Sequence, residues 1–213
     1  MYTKFVINFK EMNPIIATAL FKGRTYSEYR KLLSDLLLEK KSTAAEQTEK
    51  LTHYSFLNEG RMKRLDKTLS LTKENTNKLK TLQKEYIWLV ISEGWCGDAA
   101  QILPVFHKME LASDKKIDLK IVLRDENEAL MNLFLIQKAK SIPILIIIDK
   151  QTGLVADHWG PRPKGAKKMI EVYKKNFGII DEVAKTELQR WYFKDKGIST
   201  QNEIIEIISV LES

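Results

Sequence analysis

The chain has 213 residues, is 44% hydrophobic and carries a net charge of +7, which is enough for one domain with an ample core plus extensions. Its single cysteine excludes an internal disulfide and fits a reducing compartment. No apolar run approaches the roughly 18 residues of a membrane span, and the short stretch 15–21, preceded by Glu11, lacks the cleavage site of a signal peptide. The chain therefore reads as cytoplasmic, with no membrane partner.

Residues 3–9 read as a short strand, after which the N-terminal third turns helical. Thr25-x-x-Glu28 and Thr43-x-x-Glu46 both have the form of a capping box. Tyr29, Leu32, Leu33, Leu36 and Leu37 make an apolar stripe after the first. Leu51, Tyr54, Leu57, Met62, Leu65 and Leu69 make a less regular one after the second. This third holds the basic surplus: 17 Lys/Arg against 9 Asp/Glu through residue 84, against 18 and 19 in the remainder. Arg61, Lys63, Arg64 and Lys67 fall at spacings that share a helix face, a footprint that a nucleic acid could use. No aromatic interleaving or recognised motif accompanies them, so the face reads as solvated and nucleic acid is not an expected partner.

Tyr86–Ser92 (Tyr-Ile-Trp-Leu-Val-Ile-Ser) is a buried strand by length and composition, and Glu93-Gly94 breaks it. Residues 99–110 resume a helical pattern with Ile102, Leu103, Phe106 and Met109 on one face. Ile117–Leu123 is the next strand and 126–138 the next helix. The strand 144–148 follows, and 154–159 pairs with it across Gln151-Thr152-Gly153. Lys164–Phe177 is a helix entered through two prolines, and 182–194 and 201–211 are two more, split at Lys196-Gly197. His53, His107 and His158 lie far apart without ligand spacing, so no metal is expected.

Cys96 falls at the junction of a strand and a helix, in Trp95-Cys96-Gly97-Asp98-Ala99. Unpaired backbone N–H groups and the positive end of the helix dipole favour a thiolate there. They can lower a cysteine pKa from about 8.5 into the range of about 3.5–7.5. The alternative is a small buried hydrophobe. Asp98 cuts both ways: the dipole favours an acid at a helix entry, but its charge opposes ionisation of the neighbouring thiol.

These residues resemble the thioredoxin family over about residues 86–177. Trp95-Cys96-Gly97 looks like the thioredoxin active-site motif, and Pro104 matches the proline that kinks the active-site helix. Ser141-Ile142-Pro143 before the apolar strand looks like the cis-proline loop, and Gly160 matches the glycine after the last strand. The strings Glu93-Gly94-Trp95-Cys96-Gly97-Asp98-Ala99, Arg124-Asp125-Glu126-Asn127 and Trp159-Gly160-Pro161-Arg162-Pro163 resemble a group of bacterial thioredoxin-like proteins with a helical N-terminus. The resemblance implies an α/β thioredoxin-like fold, a central mixed sheet flanked by helices. The expected organisation is a helical N-terminal extension over 1–84, a thioredoxin-like domain over 85–178 and a C-terminal helical extension over 179–213.

The departures bear on function. Ala99 stands where a dithiol oxidoreductase has its resolving cysteine, and Val90 stands where thioredoxins carry a buried aspartate. A two-cysteine reductase is thereby excluded. Two expectations remain. In the first, Cys96 forms mixed disulfides with protein thiols or disulfides and an external low-molecular-weight thiol resolves them. In the second, the fold is a redox-inactive binding module that uses the cis-proline groove. In both, the Cys96 loop and the Arg124 loop follow parallel strands, and the resemblance brings Ile142, Pro143 and Gly160 beside them. Trp95, Gly97, Asp98, Arg124, Ile142, Pro143, Trp159, Gly160 and Arg162 are the candidate binding residues. The backbone of Ile142 would pair with a bound strand, and the Ile142–Pro143 bond is expected to be cis. Arg124 and Arg162 either face the sulfur or a bound anion, or are spent on neighbours such as Asp125 and on solvent. A cluster of the monothiol glutaredoxin kind has only Cys96-Gly97 in its favour, since Asp98-Ala99 departs from that motif, and no cofactor is expected.

Overall fold

A computed structural model describes residues 11–213; the strand expected at 3–9 lies outside them. Four strands form one mixed sheet in the order β2-β1-β3-β4. β1 (Tyr86–Ser92) is central and every residue in it is buried. It pairs in parallel with β2 (Ile117–Leu123) and antiparallel with β3 (Ile144–Asp149). β4 (Val155–Trp159) closes the other edge, exposed except at Trp159. Continuous apolar runs in β1 and β3 suit strands covered on both faces, whereas β4, interrupted by Asp157 and His158 and buried only at Trp159, suits an edge.

Helices supply that cover. α1 (Pro14–Lys22) is capped by Asn13, and α2 (Tyr26–Leu38) carries the full Thr25–Glu28 capping box. Between them Arg24 bridges Ile121 through two backbone hydrogen bonds of 2.8 and 2.9 Å, which satisfies part of the free edge of β2. α3 (Glu49–Thr68) is capped by Thr48, and α4 (Lys73–Lys80) by Thr72. The second expected capping box does not form. Thr43 starts no helix, because its hydroxyl is taken by the carboxylate of Glu93, fifty residues away in the chain. α3 also buries a different face from the one its leucines suggest: Ser55, Asn58 and Met62 are buried, while Leu57 is exposed.

α5 (Ala99–Ala112) contains Pro104 and packs between α3, α4, β2 and α9 (Ile198–Glu212). The helix expected over 126–138 is only α6 (Glu128–Leu133). Gln137 and Lys138 adopt φ of 49° and 66°, left-handed values that no helix accommodates, and Ile136 and Ala139 bridge across them. α7 (Lys164–Phe177) follows Pro163, and α8 (Glu182–Asp195) is capped by Asp181. α8 and α9 are separated by Lys196 and Gly197, both left-handed. The result is a thioredoxin-like α/β fold wrapped by helices from both ends of the chain.

Candidate functional site

The end of β1 runs into a turn held from three directions. Gly94 donates its N–H to Thr43 Oγ1 at 2.9 Å, and its carbonyl accepts from Asn58 Nδ2 at 2.9 Å. Leu33 of α2 packs so closely that a Cβ on Gly94 would lie 2.5 Å from it. Glu93 is fully buried, and its Oε1 accepts from the Asp125 N–H at 3.0 Å while its Oε2 accepts from the Thr43 hydroxyl. Burial lifts the Glu93 pKa from 4.5 to about 7, against the pull of those hydrogen bonds.

Cys96 follows, and only 7% of its surface is exposed. Its thiol donates to the carbonyl of Ile142 at 3.5 Å, and its sulfur accepts from the Ala99 N–H at 3.5 Å. The backbone donors expected at a helix start are therefore present and do oppose the shift. Burial and then the Asp98 carboxylate outweigh them, and the thiol pKa is pushed up from 9.0 to about 12. The expectation of a lowered thiol pKa is thus corrected: withdrawal from water acts on the whole charge, while two backbone N–H groups recover only part of it.

Asp98 makes no capping bond. It is buried, and Arg162 grips it through two contacts, Nη2 to Oδ2 at 2.7 Å and Nε to Oδ1 at 2.9 Å. Tyr192 of α8 donates its hydroxyl to the same Oδ1 at 2.7 Å. Arg162 is therefore spent on Asp98 rather than left for the sulfur. Replacing Asp98 with Asn is expected to lower the Cys96 pKa, because it removes a nearby negative charge and leaves Arg162 unneutralised. The midpoint of pH-dependent alkylation should move down, and an unchanged midpoint would mean that burial alone sets it.

Arg124 pairs with Asp125 at 2.8 Å and lays its guanidinium over the Trp95 ring, 4.7 Å from the centroid. Trp95, Cys96, Gly97, Asp98, Arg124, Ile142 and Arg162 all line one cavity of about 610 Å³. Pro143, Trp159 and Gly160, expected at the site, are not among the residues that line it. The Ile142–Pro143 peptide bond is cis, as is Gly160–Pro161. Gly160 has a φ of 138°, and a Cβ there would fall 2.3 Å from the Pro143 carbonyl oxygen. Trp159 is buried edge-on against Phe106 and bonds Glu203 of α9 at 2.9 Å.

The cavity has two walls that sequence reading did not supply. α3 contributes Tyr54, Leu57 and Arg61, and α8 contributes Lys185, Leu188 and Gln189. The irregular leucine pattern of α3 was the available signal: Leu51, Tyr54 and Leu57 line the cavity instead of entering the core. Tyr192 and Gln189 gave none, since neither belongs to a motif or a spacing that marks a site. Among the described residues no group of His, Cys, Asp and Glu could hold a metal ion, and no helix is long and apolar enough to cross a membrane.

A thioredoxin family model, Thioredoxin_9, matches residues 44–175, more than half of the chain. A protein of unknown function from Pseudomonas aeruginosa has a similar structure, with a TM-score of 0.55 at 19% identity over 88% of this chain and 99% of that one. An HIV epitope-scaffold is similar as well, with a TM-score of 0.54 at 18% identity over 87% of this chain and 98% of that one. At such identities both show the fold alone. No curated protein matches the chain. With its matched stretch and its order of strands, helices and proline loop, the chain belongs to the thioredoxin family.

Proposed function

We propose that this protein is a thioredoxin-fold binding module that holds its ligand in the cavity beside the proline loop and forms no covalent bond at Cys96. One observation carries the reading: the only thiol in the chain is buried, donates to the Ile142 carbonyl and has its pKa pushed up to about 12. At neutral pH such a group stays a thiol, and the thiol is not the nucleophile. The Ile142 carbonyl that would pair with an added strand is already bonded to the sulfur. The absence of a resolving cysteine at Ala99 fits the same reading.

A second reading keeps Cys96 as an attacking thiol, favoured by the Ala99 N–H that bonds its sulfur and by the place of that sulfur in the cavity wall. Its thiolate would attack a disulfide and release one thiolate. An external thiol would then attack the mixed disulfide and regenerate Cys96. Alkylation by iodoacetamide across pH separates the two. The binding reading expects slow reaction of the native chain at pH 7 to 9, a rise only toward pH 12, and ordinary reactivity in urea. Rapid alkylation at pH 7, or ready formation of a mixed disulfide with glutathione disulfide, would overturn it. Cys96→Ser is then expected to leave the fold and the cavity intact.

A further inference from the structure

Five cationic side chains line the cavity: Arg61, Arg124, Lys140, Arg162 and Lys185. Four of them are neutralised by a carboxylate, Arg124 by Asp125, Lys140 by Glu128, Arg162 by Asp98 and Lys185 by Glu182. Arg61 is the exception. Among the described residues no carboxylate lies within 4.0 Å of it, and its one hydrogen bond is from Nη1 to Asn58 Oδ1 at 2.7 Å. A guanidinium has five donors, so most of its capacity is unused. The two acids in the wall, Asp98 and Glu182, are both engaged elsewhere.

The second observation is the position of that guanidinium. A Cβ on Gly97 would lie 3.8 Å from Arg61 Nη1 and 3.2 Å from Gln189 Nε2. Gln189 uses its Oε1 to accept from Gln101 at 2.7 Å, and its Nε2 donates to nothing among the described residues. Two unused donors, one from α3 and one from α8, thus flank a glycine next to Cys96. Besides the charged groups above, the wall carries apolar and aromatic side chains, among them Tyr54, Leu57, Trp95 and Ile180.

We propose that this cavity binds a small molecule with an oxyanion head, a carboxylate or a phosphate monoester, on an apolar body, and that Arg61 and Gln189 hold the head over Gly97. The proposal rests on the binding-module reading and names the ligand class. An oxyanion supplies the acceptors that both donors lack, and a charge-assisted bond to a guanidinium is among the stronger polar contacts available. Burial and the charge of Arg64 pull the Arg61 pKa down, and no carboxylate acts to raise it. An anion seated beside it would supply the missing countercharge. The cavity volume of about 610 Å³ suits a body of ligand size.

The test uses the full chain, with phenyl phosphate and phenylacetate as probes and benzyl alcohol as the neutral analogue. Binding is followed by calorimetry and by the backbone amide resonance of Gly97. At least one anion is expected to bind and shift Gly97, the tighter of the two naming the head group, while the alcohol binds at least about tenfold more weakly. Arg61→Gln should weaken the anion about tenfold or more. Gln189→Glu should do the same by a different route, because it sets a carboxylate against Arg61 while keeping an acceptor for Gln101. That second variant keeps the test valid if the first folds poorly. Lys63→Gln, exposed on the same helix, should bind as the parent does. Anion binding unchanged in both cavity variants, equal binding of the alcohol, or no binding of either anion would each overturn the proposal. Cys96 alkylation on the same samples reports separately: slow alkylation without anion binding leaves the binding-module reading standing, and fast alkylation removes it.

Discussion

Replacing Gly160 with alanine is expected to remove at least about 3 kcal/mol of stability. Two effects act together. The φ of 138° lies where L-residues are strained, and the added Cβ would sit 2.3 Å from the Pro143 carbonyl oxygen. That neighbour is backbone, so no side-chain rotation relieves the overlap. The segment carrying Pro161 and Arg162 must then separate from the proline loop, which also loosens the Arg162 hold on Asp98. Urea unfolding of the variant should show a midpoint far below that of the parent. A change under about 1 kcal/mol would show that the two loops shift apart freely.

The second large effect is a pH dependence. Glu93 has its pKa raised from 4.5 to about 7, so the fold favours its protonated form. The stability it contributes is fully present below pH 4.5 and is lost as pH rises through about 7. The gap corresponds to about 3 kcal/mol. Many carboxylates titrate in that range, so the informative quantity is the difference between the parent and Glu93→Gln. The amide stays neutral at every pH, keeps an acceptor for the Asp125 N–H and offers a donor to Thr43. The difference in unfolding free energy should fall by roughly 3 kcal/mol between pH 4.5 and 8. A flat difference would mean that Glu93 stays ionised in its buried place.

Much of the fold was legible because its signals are local. The apolar run of β1 and the break at Glu93-Gly94 declare their conformation within a few residues, while Pro104 within a helix and Gly160 after the last strand are placed by the resemblance to the thioredoxin family. What stayed hidden depends on partners far along the chain. Thr43-x-x-Glu46 has the spacing of a capping box, yet Thr43 serves Glu93. Asp98 reads as a helix-entry acid, yet it anchors Tyr192, 94 residues onward. The sign of the Cys96 pKa shift was missed for the same reason. A helix start can be read from sequence, whereas the depth at which it lies depends on what α3 and α8 place over it. Residues 126–138 misled differently, since apolar spacing continues past Leu133 while the backbone turns left-handed at Gln137 and Lys138.

The two donors beside Gly97 fall on opposite sides of the boundary of the family match. Arg61 lies inside the stretch 44–175 that matches the family, while Gln189, Lys185 and Tyr192 lie beyond it. Six of the 21 residues lining the cavity, from Ile180 to Gln189, therefore lie outside the matched stretch. A relative that keeps the whole matched stretch but replaces α8 would retain Trp95, Cys96 and Arg61 and lose the opposite wall. On the proposed binding reading, exchanging that helix would change the ligand with no change at Trp95-Cys96-Gly97.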